Sequence, residues 1–144
     1  MSKPSSPIFQ VIAPAESAIV AARKSTSASP RSSAVTSAAE QARNTDEGLL
    51  RGRHADDYDV MAVHAGGRTI LDAVESGLEL GPAALGWSRG VLRDFGNMSS
   101  ATLMFILRRI LDGFRPAAGR SGDGFAVAFG PGLAAESFRF QVLT

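Results

Sequence analysis

Cysteine is absent from the 144 residues of the sequence. Its absence excludes disulfide bonds, cysteine-ligated zinc sites and a cysteine nucleophile within this chain. Long apolar runs are absent too, because none reaches the ~18 residues that a membrane-spanning helix needs. The first residues contain a broken apolar run, which is atypical of a signal peptide. We therefore expect no membrane partner and a cytoplasmic location.

An excess of charge of either sign is also lacking, with 15 Lys and Arg against 14 Asp and Glu. Proteins that bind nucleic acids usually concentrate basic residues on one face, whereas the arginines here are scattered. We therefore expect no nucleic-acid partner. A chain of this length with 44% hydrophobic residues suits about one domain, which can bury most of the surface of its unfolded state.

The composition divides the chain into three segments. Residues 1–22 contain a β-prone stretch that predicts a strand over residues 8–12, bounded by Pro14. Residues 23–47 are rich in Ser, Ala and Thr, and Val35 is their only large aliphatic residue. That composition predicts a solvated, disordered linker, because little in it could offset the entropy cost of ordering. A weak helix around Ala38 to Ala42, with Ser37 as its N-cap and Glu40 as a capping-box partner, is the alternative.

The third segment, residues 48–144, alternates strand and helix patterns and predicts an α/β unit. The first predicted elements are a buried strand that ends near His64 and a helix that opens after Gly66-Gly67 and closes near Gly81-Pro82. Two more helices are predicted over residues 86–95 and 101–113, the latter capped by Ser99 or Ser100. Strands over residues 125–129 and 135–143, joined by a tight turn, complete the unit. The predicted buried faces are Ile70, Leu71, Val74 and Leu78 in the first helix and Val91, Leu92 and Phe95 in the second. The third helix is so apolar that we expect little of it to face water.

Two polar residues fall where ligands gather in open α/β folds. His64 ends a predicted strand just before a helix, and both the carboxyl end of a strand and the amino end of a helix favour ligands. Asn97 lies in a glycine-bounded turn before another helix. Such an Asn commonly satisfies the backbone, but its amide can also donate a hydrogen bond to a developing oxyanion. On these patterns alone, a structural role stays open for each residue.

A second polar group, made of His54, Asp56, Asp57 and Asp59, precedes the predicted strand that ends near His64. Oxygen-rich clusters of this kind can bind a metal ion, but the segment lacks the spacing of a calcium-binding loop. We therefore interpret it as a polar loop and expect no metal site.

Four stretches together resemble the type III polyketide synthases, the chalcone and stilbene synthase family. They are "PIFQVIAPAESAIV", "MAVHAGGRTILDAVE", "VLRDFGNMSSATLMFIL" and "GDGFAVAFGPGLAAES". The first resembles the segment where the family's second half begins, and the second its strand, His-x-Gly-Gly and helix. The third resembles its Gly-Asn-Met-Ser-Ser-Ala signature, and the fourth its terminal Gly-Phe-Gly-Pro-Gly loop. The order and separation of the central motifs are also similar to those of the family.

The resemblance implies the C-terminal half of a thiolase-like fold, an incomplete α/β unit with a mixed sheet and a buried central helix. Family members join two such halves and work as homodimers, so an N-terminal half or a second copy is the implied protein partner. The implied activity is that of an acyltransferase that condenses malonyl-CoA onto an acyl-CoA starter with loss of CO2. These coenzyme A thioesters are the substrates, and no other cofactor is implied.

The resemblance also implies roles for residues of this sequence. His64 and Asn97 match the family's catalytic pair, which donates hydrogen bonds to the thioester oxygen during decarboxylation. The matching His also sustains a cysteine thiolate. The residues that match substrate-binding positions are Gly66, Gly67, Arg68, Gly130, Pro131 and Gly132.

Three features depart from the family pattern. The cysteine nucleophile is missing, so an inactive remnant or a non-catalytic binding module is the alternative function. Ala65 replaces the usual Pro, and Arg68-Thr69 replaces a usual Pro-Ala, both near the expected substrate tunnel. Residues 23–47 lack the family's large aliphatic residues, and an altered reading frame in the coding DNA is one hypothesis for that difference.

Overall fold

The structure is a computed structural model that describes residues 8–19, 50, 53–130 and 134–143. The linker predicted over residues 23–47 lies outside the described residues. The elements are β1 (Ile8–Ile19), a short 3-10 turn (Ala55–Asp57), β2 (Val60–His64), α1 (Arg68–Gly77), α2 (Gly86–Phe95), α3 (Ala101–Gly113), β3 (Gly122–Phe129) and β4 (Ala134–Leu143). This order confirms the predicted α/β unit.

The four described strands form one mixed sheet in the order β1-β4-β3-β2. β2 and β3 are parallel, whereas β4 is antiparallel to both β3 and β1. The antiparallel pairing of β3 and β4 is the predicted one, and the tip of their connection, residues 131–133, lies outside the described residues. In the parallel pair, His64 lies opposite Ala128. The carboxyl ends of β2 and β3 therefore meet at one edge of the sheet.

β1 is longer than predicted, and Pro14 does not end it. The strand pairs with β4 along Ile8–Ile19, but its register shifts between Val11 and Ala13 and again between Ala13 and Glu16. Each shift places one extra residue in β1, which is the mark of a β-bulge. Because a proline has no backbone N–H to donate, strands tolerate it at such irregularities and at sheet edges. The second bulge contains Pro14 and therefore lets β1 continue past it.

Helices cover both faces of the sheet, and alternate strand residues point to each face. On one face, α1 packs with Leu71, Val74 and Leu78 against residues that include Met61 and Phe125. On the other, α2 and α3 bury the side chains Val91, Ile106, Leu107 and Ile110 against Val60, Ala62, Ala126 and Phe140. The predicted buried face of α1 is confirmed, with Ile70 partly rather than fully buried.

α1 ends at Gly77, four residues before the predicted end near Gly81-Pro82. Glu79 adopts a left-handed conformation with φ of 53°. The Leu80 N–H donates to the Glu75 carbonyl at 2.9 Å, and the Glu79 N–H donates to the Ser76 carbonyl at 3.3 Å. These two bonds form a Schellman motif, which usually has Gly at the left-handed position. The earlier end follows from this motif.

α3 is less buried than predicted. Its residues Met104 and Phe105 are 64% and 43% exposed, and Phe95 of α2, predicted to face inward, is 50% exposed. The Phe95 and Phe105 rings contact each other with their centroids 5.2 Å apart. We call these three residues the apolar face. No helix among the described residues is long and apolar enough to cross a membrane, and the cytoplasmic location stays a prediction.

Gly124 provides a test of the sheet packing. A Cβ atom at this position would overlap the ring of Phe140, its partner on β4. That ring cannot move away easily, because Phe140 is 1% exposed and also packs edge-on against Phe9. We expect Gly124→Ala to lower the free energy of unfolding in urea by about 1–3 kcal/mol. Gly81→Ala is the control, since a Cβ there meets no described atom within 4 Å, and equal losses in both variants would contradict this account.

Candidate active site

Most of the predicted site residues lie at the edge where β2 and β3 end. His64 is the last residue of β2, Gly66 and Gly67 follow it, and Arg68 opens α1 as an exposed residue. Gly130 directly follows β3, and its N–H donates to the Ala134 carbonyl at 2.8 Å. Since the carboxyl ends of parallel neighbours form the usual ligand-binding edge of an α/β sheet, this edge is the candidate site. Pro131 and Gly132 lie outside the described residues.

His64 is a half-buried imidazole whose Nδ1 atom is enclosed by protein. That nitrogen has no hydrogen-bond partner among the described residues. Burial lowers the pKa of His64 below its ordinary value of 6.5, so the ring is neutral at pH 7. A neutral imidazole carries its proton on one nitrogen only. In the tautomer that carries the proton on Nε2, that nitrogen can donate to a substrate.

Asn97 uses the two ends of its amide differently. The backbone N–H of Ser99 donates to Asn97 Oδ1 at 2.8 Å, and this bond closes a local turn. The bond also decides which side of the amide carries the oxygen. Asn97 Nδ2 therefore faces the other way, where it donates to the Gly66 carbonyl at 3.4 Å. The oxygen thus holds the turn, while the amino group reaches the loop that follows His64.

The structure corrects the prediction that a serine side chain caps α3. Ser100 occupies the N-cap position, but its side chain makes no capping hydrogen bond to any described residue. Its backbone is already helical, whereas a capping residue usually has an extended backbone. Ser99 has a left-handed backbone with φ of 58°. Thr102 instead ties the preceding turn to the first turn of α3, because its Oγ1 accepts the Met98 N–H at 2.9 Å.

Ser88 is a residue of the site region that the sequence reasoning missed. Its side chain is 1% exposed, and its Oγ accepts the Val63 N–H at 3.0 Å. In the described part of the sheet β2 is an edge strand, so this N–H needs a partner other than a strand. The available signal was the spacing of Ser88, Val91 and Leu92, which places the serine on the buried face of α2.

The polar group that precedes β2 lies at the opposite end of that strand from His64. Its atoms bind locally: the His54 N–H donates to Asp57, and Asp59 pairs with Arg120 at 2.6 Å. No cluster of three or more His, Asp or Glu among the described residues could hold a metal ion. Cavities of about 250 and 170 Å³ lie beside this group and are lined by residues including Ala55 and Asp56. They are distinct from the candidate site.

Titration of His64 tests the electrostatics of the site. We expect NMR to show that its imidazole titrates below pH 6.5, because burial penalises the charged ring. Since the unfolded chain then binds the proton more readily, the free energy of unfolding should fall as pH drops through and below 6.5. His64→Gln removes the signal, assigns it and flattens that pH dependence. A midpoint at or above the ordinary value would contradict the burial of the ring.

A family model matches this chain over residues 40–144, and its description is "Chalcone and stilbene synthases, C-terminal domain". A 1,3,6,8-tetrahydroxynaphthalene synthase from Streptomyces coelicolor is 40% identical over 90 residues, which cover 60% of this chain and 24% of that protein. A bisdemethoxycurcumin synthase from Oryza sativa subsp. japonica is 44% identical over 80 residues, which cover 53% of this chain and 20% of that protein. The chain thus spans about a quarter or less of the length of these curated relatives.

Solved structures show the same relationship at the level of the fold. PKS-I from the brown alga Ectocarpus siliculosus superposes with a TM-score of 0.74 at 24% identity, over 94% of this chain and 40% of that chain. The tetrahydroxynaphthalene synthase of S. coelicolor, a bacterial type III polyketide synthase, superposes with a TM-score of 0.65 at 32% identity, over 78% and 31%. These superpositions confirm the predicted thiolase-like fold class. The chain belongs to the chalcone and stilbene synthase family of type III polyketide synthases.

Proposed function

We propose that this chain supplies the malonyl-thioester site of a type III polyketide synthase, with malonyl-CoA and an acyl-CoA as substrates and no other cofactor. The observation that carries the proposal is the orientation of Asn97. Its amino group reaches the carbonyl of Gly66, two residues beyond His64, because Ser99 holds its oxygen. Two neutral donors are thus available at one edge of the sheet.

The proposed reaction is the decarboxylation of a malonyl thioester. The bond between the carboxylate carbon and the methylene carbon breaks, CO2 leaves, and the electron pair forms an enolate with negative charge on the thioester oxygen. His64 and Asn97 donate hydrogen bonds to that oxygen. In enzymes whose donors are preorganised around a developing oxyanion, removal of one donor commonly lowers the rate by about 10²–10³-fold. In the absence of an acyl acceptor, a proton from water completes an acetyl thioester.

The glycines beside His64 support a substrate-binding role. A Cβ at Gly67 would meet no described atom within 4 Å, so the space there is open. Gly67 precedes the first turn of α1, whose free N–H groups favour an anionic or polarised oxygen. We propose that the substrate and its coenzyme A contact Gly66, Gly67, Arg68, Gly130, Pro131 and Gly132.

Carbon–carbon bond formation needs a second component. In the proposed condensation the enolate attacks an acyl group held as a thioester on a cysteine, and this sequence contains no cysteine. The much longer relatives carry sequence that has no counterpart here. We propose that an N-terminal half of the fold, with a cysteine nucleophile, completes the enzyme.

The apolar face is the surface that we propose for this component. Phe95, Met104 and Phe105 form an exposed apolar area, whereas the neighbouring rim is charged. On that rim Asp94 pairs with Arg93 and Arg109, which lower the pKa of its carboxyl group to about 2. An apolar centre with a polar rim is the usual anatomy of a protein interface. A second copy of the chain is the competing occupant.

Incubation of the purified chain with malonyl-CoA and a starter acyl-CoA tests the proposed chemistry, if CO2 and extended product are measured separately. We expect CO2 without extended product. Asn97→Asp keeps an oxygen acceptor for the Ser99 N–H but has no donor, so it should lower CO2 release about 10²-fold while the turn survives. His64→Gln should cause a similar loss.

The control for this assay is Arg108→Gln, which changes only an exposed ion pair on α3. Extended product from the chain alone would contradict the need for a cysteine-bearing component. Failure to release CO2 above the background of the His64→Gln variant would reject the proposed activity and favour the inactive remnant or binding module.

Sedimentation velocity tests the apolar face. We expect the isolated chain to associate, because about half of the surface of each side chain in this face is exposed to water. The double variant Met104→Gln/Phe105→Gln should shift the mass toward that of the monomer. Val11→Gln, which changes an apolar residue that is 60% exposed on β1, is the matched control. A monodisperse monomer of the unmodified chain would contradict this prediction.

A further inference from the structure

The segment that carries His64 is held to one helix at both of its ends. Before His64, the Val63 N–H donates to Ser88 Oγ at 3.0 Å. After it, the Gly66 carbonyl accepts Asn97 Nδ2 at 3.4 Å. Ser88 belongs to the first turn of α2, and Asn97 follows the last residue of that helix, Phe95, by two positions. The helix and the turn that directly follows it therefore contact the backbone on both sides of the imidazole.

From this arrangement we propose that Ser88 is a positioning residue for His64, acting through the backbone of Val63. The hydroxyl is buried at 1% exposure, and no other described hydrogen bond to Val63 comes from outside the sheet. Loss of the oxygen would leave a buried N–H without a partner, so the end of β2 would shift toward another acceptor or toward water. Such a shift moves the residue that follows, which is His64.

Arg89, the residue after Ser88, fixes the same turn of α2 to α1. The Arg89 guanidinium donates to Asp72 at 2.7 Å and also pairs with Glu75, and both carboxylates belong to α1. These hydrogen bonds raise the pKa of Arg89. The first turn of α2 thus holds β2 through Ser88 and α1 through Arg89, on either side of the loop that contains Gly66 and Gly67.

A residue that positions His64 affects the reaction rate, whereas a residue that only stabilises the fold does not. An α-helix is stiff, with a rise of about 1.5 Å per residue, so the span from Ser88 to Phe95 behaves as a spacer between the Val63 backbone and the turn that carries Asn97. Misplacement of a catalytic group by about 1 Å can cost about 10²-fold in rate. This role rests on the proposed function for its effect on rate, but its effect on the His64 ring is independent of any substrate.

The test compares Ser88→Ala and Ser88→Thr with Ser76→Ala, which removes an exposed hydroxyl from α1. The first readout is NMR of the unliganded chain. We expect Ser88→Ala to shift the Val63 amide proton to higher field and to change both the His64 ring resonances and their titration midpoint. Ser88→Thr retains the hydroxyl and should restore the unmodified values, and Ser76→Ala should leave them unchanged.

The second readout is CO2 release from malonyl-CoA. Ser88→Ala should lower kcat by about 10–100-fold with little change in KM, because the donors move while the binding loops remain. If the unmodified chain releases no CO2, the proposed function fails, but the NMR comparison still decides the positioning role. Ser88→Cys, which has nearly the same shape and a weak acceptor, serves if Ser88→Ala does not fold.

One result would overturn the inference. If Ser88→Ala unfolds at lower urea concentration but keeps the His64 resonances and titration midpoint of the unmodified chain, the hydroxyl stabilises the fold and positions nothing.

Discussion

The parallel pairing of β2 with β3 is the constraint on which the rest of the structure depends. Parallel neighbours cannot be joined by a tight turn, so the chain must travel the length of the sheet before it returns. Here α1, α2 and α3 form the crossover connection, with α1 packed on one face of the sheet and α2 and α3 on the other. The loops that enter and leave these helices include the Gly66-Gly67 loop and the Asn97 turn. The pairing also sets His64 level with Ala128. The candidate site is therefore a product of the topology.

The amide of Asn97 combines an observed structural role with the chemical role that we propose for it. Its oxygen accepts the Ser99 N–H, and this bond supports the left-handed backbone of Ser99, a conformation that glycine adopts at lower cost. Its nitrogen is held by a longer bond to the Gly66 carbonyl. A substrate oxygen can compete for such a donor at small cost, because the bond that it replaces is weak. The turn would stay closed during that exchange.

Much of the fold could be predicted from local patterns. Short-range patterns predicted three features. The apolar run before His64 predicted β2, and the helical spacing of Leu71, Val74 and Leu78 predicted α1. The glycines between the last two strands predicted the turn that joins them. The features that the sequence patterns did not predict depend on contacts with residues that are distant in the chain. Bulged pairing with β4 carries β1 past Pro14, and the left-handed Glu79 that ends α1 has no glycine to announce it. Phe95 follows a buried spacing but is half exposed, because only Phe105 and Arg109 lie against its ring in the described chain.

The candidate site, too, has features that local sequence predicts and features that depend on distant contacts. The positions of His64 and Asn97 at element ends were predictable, since a strand end and a glycine-bounded turn are local features. Their approach through the Gly66 carbonyl was not, because it depends on how α2 crosses the sheet edge. Ser88 was missed for the same reason: its partner is a backbone N–H on an edge strand 25 residues away.

The apolar face has a consequence for how the site would respond to its surroundings. Phe95 ends α2 and is separated from Asn97 by a single glycine with a left-handed backbone. A protein that binds Phe95 and moves this end of the helix would therefore also move the amide that we propose to bind substrate. Linkage then requires reciprocity: a partner that tightens substrate binding by some factor is itself bound more tightly, by that factor, when substrate is present. Binding of the partner and binding of the substrate would then be thermodynamically coupled.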